Sequence, residues 1–149
     1  MCVAVDAASA NHPKYVFCSS DWVSRAKVLN KVVVNENLDP DFFAGQPHVR
    51  YAIGHIQAYR TPLFLNATDL PNIAFTYESM ETCGIPILEI GTEYLLSGNH
   101  IASEPAYLTI NACNQISSEV YGIGSVPQIY QDLSLTQKLK LELKEYEVC

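Results

Sequence analysis

A small closed β-barrel with a helix near each end, mainly β in class, is the fold this sequence predicts. Three observations point to it. Short apolar segments recur along the middle of the chain, separated by turn residues at Gly91 and Gly98-Asn99; this spacing suits a barrel better than an alternating β-α sheet. Helix-start signals lie near the two ends. The chain has 149 residues, 48% of them apolar, which is a single-domain length (1–149) with enough apolar material for a core that needs no metal or cofactor.

The elements follow in order. Asn11-His12-Pro13 reads as a helix start, with Asn11 as cap and the proline tolerated in the first turn; the helix runs toward Cys18. Trp22 to Val34 is rich in valine, with Arg25, Lys27 and Lys31 interspersed, and reads as a long strand with one wet face. Asn35 to His48 is a loop, broken by Asp39-Pro40-Asp41, Gly45 and Pro47. Val49, Tyr51, Ile53 and His55 alternate with other residues in a second strand carried on to Tyr59. Thr61 to Asn72 is irregular. Short strands are expected at Ile73–Tyr77, Ile85–Ile90, Glu93–Ser97 and Tyr107–Ile110. Ser134 with Gln137 fits a capping box. In the helix that follows, Leu135, Leu139, Leu143 and Tyr146 fall on one face, with Lys138, Glu142 and Glu145 away from it.

The composition excludes several functions. A formal net charge of −7 opposes nucleic acid, whose phosphates need a basic face, and opposes anionic membrane surfaces. No apolar run approaches the roughly 20 residues of a membrane span. His12, His48, His55 and His100 are scattered without a two-ligand zinc spacing, so no metal is expected. No Ser–His–Asp or Cys–His arrangement and no glycine-rich phosphate cradle marks an enzyme; Gly122-Ile123-Gly124 reads as a loop. No cofactor is expected.

The first residues, Met1-Cys2-Val3-Ala4-Val5-Asp6, lack the basic start and apolar segment of a leader. Met1 reads as an added start or as a residue replacing a removed leader. Five cysteines and the sequon Asn66-Ala67-Thr68 point instead to a secreted, extracellular protein, with Asn66 as a glycosylation candidate. An odd cysteine number leaves one thiol over. Phe42-Phe43, in the acidic loop after the first strand, is a candidate protein-contact anchor.

Four stretches carry a resemblance to a known family. They are His12-Pro13-Lys14-Tyr15-Val16-Phe17-Cys18; Asp21 through Val28; Cys83-Gly84 leading to Glu93-Tyr94-Leu95-Leu96-Ser97-Gly98; and Leu133-Ser134 with Thr136-Gln137-Lys138 leading to Cys149. In this order they resemble the N-terminal domain of the tissue inhibitors of metalloproteinases, a netrin-like module on a five-stranded OB-fold barrel. The chain is most similar to single-domain secreted relatives in parasitic nematodes, hookworms especially.

The resemblance implies bridges Cys2–Cys83 and Cys18–Cys149. A third family bridge needs a cysteine where this sequence has Ala4, which implies a free Cys113; a rival pairing of Cys2 with Cys113 stays open. Closing the loop from Cys18 to Cys149 implies roughly 4–5 kcal/mol of chain-entropy stabilisation. Family members chelate a protease's zinc through the α-amine and carbonyl of the first cysteine. The implied inhibitory edge is therefore Cys2, Val3 and Ala4, with Cys2 chelating and Val3 entering the specificity pocket. Met1, if present, turns the amine into an amide. The implied partner is a host or tissue protein, a metalloproteinase in trans among the possibilities. The implied role is an anti-inflammatory or immunomodulatory one, with weak or absent inhibition.

Overall fold

The structure is a computed structural model, and it describes residues 13–35, 46–116, 127–147 and 149. In chain order these form helix α1 (Pro13–Ser19), strands β1 (Trp22–Val34), β2 (His48–Arg60), β3 (Ile73–Tyr77), β4 (Glu93–Ile101) and β5 (Tyr107–Thr109), and helix α2 (Leu135–Glu142). The five strands close into a barrel in the order β1-β2-β3-β5-β4, and β4 returns to β1. All pairings are antiparallel except β3 with β5. This is the OB-type barrel expected.

The side-chain period of two explains how one strand serves two cores. Along β1, Trp22, Ala26 and Val28 point into the barrel with Val49, Tyr51, Ile53, Leu96 and Leu108. Val23 points the other way. With Tyr59 and Leu95 it forms an outer layer under the helices, closed by Val16, Phe17, Leu133, Leu141 and Tyr146. The strand bends through register shifts at Val23/Ser24, Arg25/Ala26 and Val28/Asn30, the kind of bulge that closes small barrels. The sulfurs of Cys18 and Cys149 are joined across this outer layer, with Cα atoms 5.8 Å apart. Beside them the Phe17 and Tyr146 rings lie 6.0 Å centre to centre.

Three expectations are corrected. Ile85–Ile90 is not a strand: Ile85 and Leu88 are buried, but their backbone pairs with side chains rather than with a ladder. Gly98-Asn99 is not a turn but lies inside β4; a Cβ at Gly98 would sit 1.9 Å from the Thr109 carbonyl oxygen, so the glycine is there for close strand approach. In α2 the buried residues are Gln137 and Leu141. Leu135, Leu139 and Leu143 are exposed, although Tyr146 is buried as expected. The helix ends at Glu142, and Lys144 takes a left-handed φ of 59°, so a face projected on through Leu143 no longer applies. The cap itself forms: the Ser134 hydroxyl accepts from the Gln137 N–H at 3.1 Å.

Candidate functional site

Cys2, Val3, Ala4 and the Phe42-Phe43 pair lie outside the described residues. What the structure places is the turn that carries Cys83, which the resemblance pairs with Cys2. Ser79 opens this turn by accepting from the Glu81 N–H at 3.2 Å, and its carbonyl takes the Thr82 hydroxyl at 3.0 Å and the Gly84 N–H at 2.9 Å. Cys83 closes it with a left-handed φ of 66°. Gly84 has no substitute, because a Cβ there would lie 1.9 Å from the Tyr77 carbonyl oxygen and 2.7 Å from that of Ser79. Gly84 is thus dictated by geometry: the chain must pass edge-on to the end of β3. Met80 stands exposed at the crest.

Beyond Gly84 the chain crosses the barrel mouth in irregular conformation, and three hydroxyls rooted in the barrel satisfy its backbone. Thr76 accepts from the Ile85 N–H at 3.0 Å. The Tyr51 hydroxyl donates to the Ile85 carbonyl at 2.7 Å and accepts from the Leu88 N–H at 3.2 Å. The Tyr94 hydroxyl accepts from the Glu89 N–H at 3.0 Å. Burial pushes the Tyr51 phenol up to about 12, so it stays protonated and keeps donating. Lys31 adds a bond from its ammonium to the Pro86 carbonyl.

A second turn brings Cys113 alongside. Asn111 caps it, accepting from the Cys113 N–H at 2.9 Å, and the Ala112 N–H binds the Cys83 carbonyl at 2.9 Å. Buried Gln115 locks this turn to β4. Its amide donates to the carbonyls of Ser97 at 2.8 Å and Asn111 at 2.9 Å, and its oxygen accepts from the Ser97 N–H at 3.2 Å. The result is that the sulfurs of Cys83 and Cys113 stand 3.9 Å apart. That is too far for a bond between them. The Asn111 cap and Gln115 carry Cys113 to the same spot as Cys83.

Two other regions were weighed. Arg25, Gly91, Thr92, Glu93, Ile129 and Tyr130 line a shallow cleft of about 230 Å³. In it Arg25 pairs with Glu93 at 2.7 Å and stacks over Tyr130 at 4.1 Å. With both charged side chains about a third exposed, at 31% and 34%, the pair contributes roughly 0.2–1 kcal/mol and reads as structural. His55 sits half-buried in the wall. Its Nε2 donates to the Pro71 carbonyl at 2.8 Å, which leaves Nδ1 to accept the Ser24 hydroxyl at 2.7 Å. Desolvation holds this imidazole below its ordinary value against the opposing Pro71 bond. Among the described residues no cluster of three or more His, Cys, Asp or Glu is placed to hold a metal. None of their helices is long and apolar enough to cross a membrane.

Sequence reasoning marked Cys83-Gly84 but missed Tyr51, Thr76, Tyr94 and Gln115 as the residues that hold it. Their apolar neighbours gave the strand pattern; nothing in that pattern shows where a hydroxyl ends up.

The fold is a disulfide-closed OB-type barrel that presents a cysteine-bearing turn beside the end of β3. Residues 2–149 match the family described as tissue inhibitor of metalloproteinase, and the chain belongs to that family, one of protease inhibitors rather than enzymes. It is 29% identical over 140 residues to mouse (Mus musculus) Metalloproteinase inhibitor 4, covering 93% of this chain and 54% of that protein. It is 32% identical over 134 residues to rabbit (Oryctolagus cuniculus) Metalloproteinase inhibitor 2, covering 87% and 58% respectively. The same identity and length hold for the cattle (Bos taurus) Metalloproteinase inhibitor 2, with 87% and 51% covered. The chain therefore spans about half the length of the curated relatives it matches.

Proposed function

We propose that this chain is a secreted binding protein that uses the Ser79–Gly84 turn and the leading segment Cys2-Val3-Ala4 as its contact edge, with weak or absent inhibition of metalloproteinases. The observation that carries this reading is the 3.9 Å approach of the Cys83 and Cys113 sulfurs. The resemblance assigns these two positions to separate N-terminal bridges. Here they share one place, and with Ala4 in the second position the leading segment has the single sulfur of Cys2 to offer it. One sulfur pins a segment at one point. Zinc chelation by an amine and a carbonyl depends on preorganisation, because each freedom frozen on binding subtracts from affinity. Shape recognition by Met80 and the rigid turn survives that loss. The partner is a host or tissue protein, and the role is modulation of tissue and immune responses. Asn66 carries a glycan in this reading, and Phe42-Phe43 adds contact.

A second reading has one observation in its favour: the family match begins at Cys2. In it the Cys2 amine and carbonyl take the protease zinc and displace the water that the metal would activate, with Val3 in the pocket, once Met1 is absent. The test compares chains beginning at Met1 and at Cys2 against a matrix metalloproteinase catalytic domain, measuring affinity and residual proteolysis. The first reading expects both chains to bind alike and to leave most proteolysis intact. Tight inhibition by the Cys2 chain alone, abolished by Met1, overturns it in favour of the second.

A further inference from the structure

The connection between β2 and β3 holds a feature that the edge does not use. The Pro62 carbonyl accepts from the Leu65 N–H at 3.1 Å, closing a four-residue turn. Its third residue is Phe64, with φ 78°. That position calls for the left-handed region and ordinarily for glycine, because a Cβ crowds the backbone there. Phe64 is also 103% exposed, more than any other large apolar residue described. A strained aromatic wholly in water needs an occupant, and the sequon supplies one two places on. Asn66 is exposed and extended, and its side chain makes no capping bond to the short turn Ala67–Asp69 that follows. Exposure alternates, with Phe64 and Asn66 exposed and Leu65 half-buried between them. Two residues of chain span at most about 7 Å, roughly the width of one sugar ring, so the exposed Phe64 ring lies within reach of a sugar on Asn66. Buried Leu70 roots the far end of the connection in the core, so the acceptor sits on fixed backbone.

We propose that Asn66 is an N-glycosylation site and that Phe64 is the platform on which its first N-acetylglucosamine stacks. In the transfer, C1 of a lipid-pyrophosphate-linked oligosaccharide bonds to Nδ2 of Asn66. The C1–oxygen bond to pyrophosphate breaks, Nδ2 gives up one proton, and the lipid pyrophosphate leaves. The sugar's C–H bonds carry slight positive charge and meet the negative face of the Phe64 ring. The stacked sugar also takes that ring out of water. The site lies at the end of β2 near Arg60, whereas Pro47, at its other end, binds the strand leading to Cys83 through the Glu78 N–H at 3.1 Å. A glycan here leaves the contact edge open, and the inference stands whatever that edge binds.

The test expresses the chain through a eukaryotic secretory pathway as wild type, Phe64→Ala, Asn66→Gln and the double variant. Intact mass should show one glycan on the wild type, removable by peptide N-glycosidase and absent from Asn66→Gln. The glycosylated wild type should melt about 2–4 °C above Asn66→Gln. In the Phe64→Ala background that difference should vanish. Protons of the first sugar should be shifted upfield by the ring in the wild type and return to ordinary values in Phe64→Ala. An unoccupied Asn66 in the secreted wild type overturns the site. Equal melting differences in both backgrounds, or sugar protons unmoved by Phe64→Ala, overturn the stacking. Phe64 is fully exposed, so its removal does not threaten the fold.

Discussion

Replacing Tyr51 by Phe removes one oxygen and tests how the edge is held. That oxygen is fully buried with its residue and serves two backbone groups, the Ile85 carbonyl at 2.7 Å and the Leu88 N–H at 3.2 Å. The ring and its packing stay, so no cavity of consequence forms. Each orphaned buried backbone group costs about 1–3 kcal/mol, so the two together cost about 2–6 kcal/mol, a large share of the roughly 5–15 kcal/mol that holds a domain together. Urea unfolding should show a lower midpoint with an unchanged slope. Amide exchange should accelerate first at Leu88. Tyr94→Phe is the control: it loses a single partly buried bond to the Glu89 N–H and should cost about 1 kcal/mol. If Tyr51→Phe costs no more than Tyr94→Phe, the claim that a single phenol pins the segment after Cys83 is wrong.

Three further outcomes follow from the same geometry. Cys18→Ser with Cys149→Ser frees a loop with a sequence separation of 131 and should lose about 5 kcal/mol in urea; a loss below about 2 kcal/mol would count against the chain-entropy account. Gly84→Ala, with its Cβ 1.9 Å from a backbone oxygen, should cost about 3 kcal/mol and speed amide exchange across the Cys83 turn; a neutral substitution would show that the turn relaxes freely. For His55 the folded imidazole is held below its ordinary value, so the unfolded chain takes up its proton first. Its contribution to stability is full above about pH 6.5, falls as the pH drops from there to the folded value, and levels off below it. His55→Gln should flatten that part of the urea-midpoint profile, and an unchanged slope there would remove His55 from the account.

The barrel was legible because its signals are local. Alternation through Val49, Tyr51 and Ile53 and the valine-rich run from Trp22 encode strand faces directly, and β1 has the bounds read from sequence. The Ser134 cap was equally local. What failed depended on partners distant in sequence. Ile85 and Leu88 carry the apolar spacing of a strand, yet Thr76 and Tyr51 take their backbone groups in place of a ladder. Gly98 reads as a turn until Thr109 is known to lie against it. The neighbourhood of Cys113 and Cys83 was equally hidden, because Gln115, a residue with no motif around it, fixes the Cys113 turn to β4 beside Cys83.

The way the edge is supported bears on what losing a bridge costs. In a module whose edge hung on disulfides alone, a missing cysteine at position 4 would loosen everything near it. Here the Cys83 turn owes its shape to Ser79, to the close pass at Gly84 and to hydroxyls on β2, β3 and β4. None of these depends on a residue before the barrel. The turn therefore keeps its form however the leading segment is held, and in the proposed reading, with one sulfur pinning that segment, the two contributions to binding separate. Contact made by the turn persists, and chelation that needs the segment's exact placement declines. Restoring the second pin by Ala4→Cys should then tighten metalloproteinase inhibition by a chain beginning at Cys2 at least tenfold, while melting behaviour of the barrel changes little. Inhibition that is unmoved by Ala4→Cys, in protein shown by mass to have gained the bridge, would mean that rigidity of the leading segment is not what limits this edge.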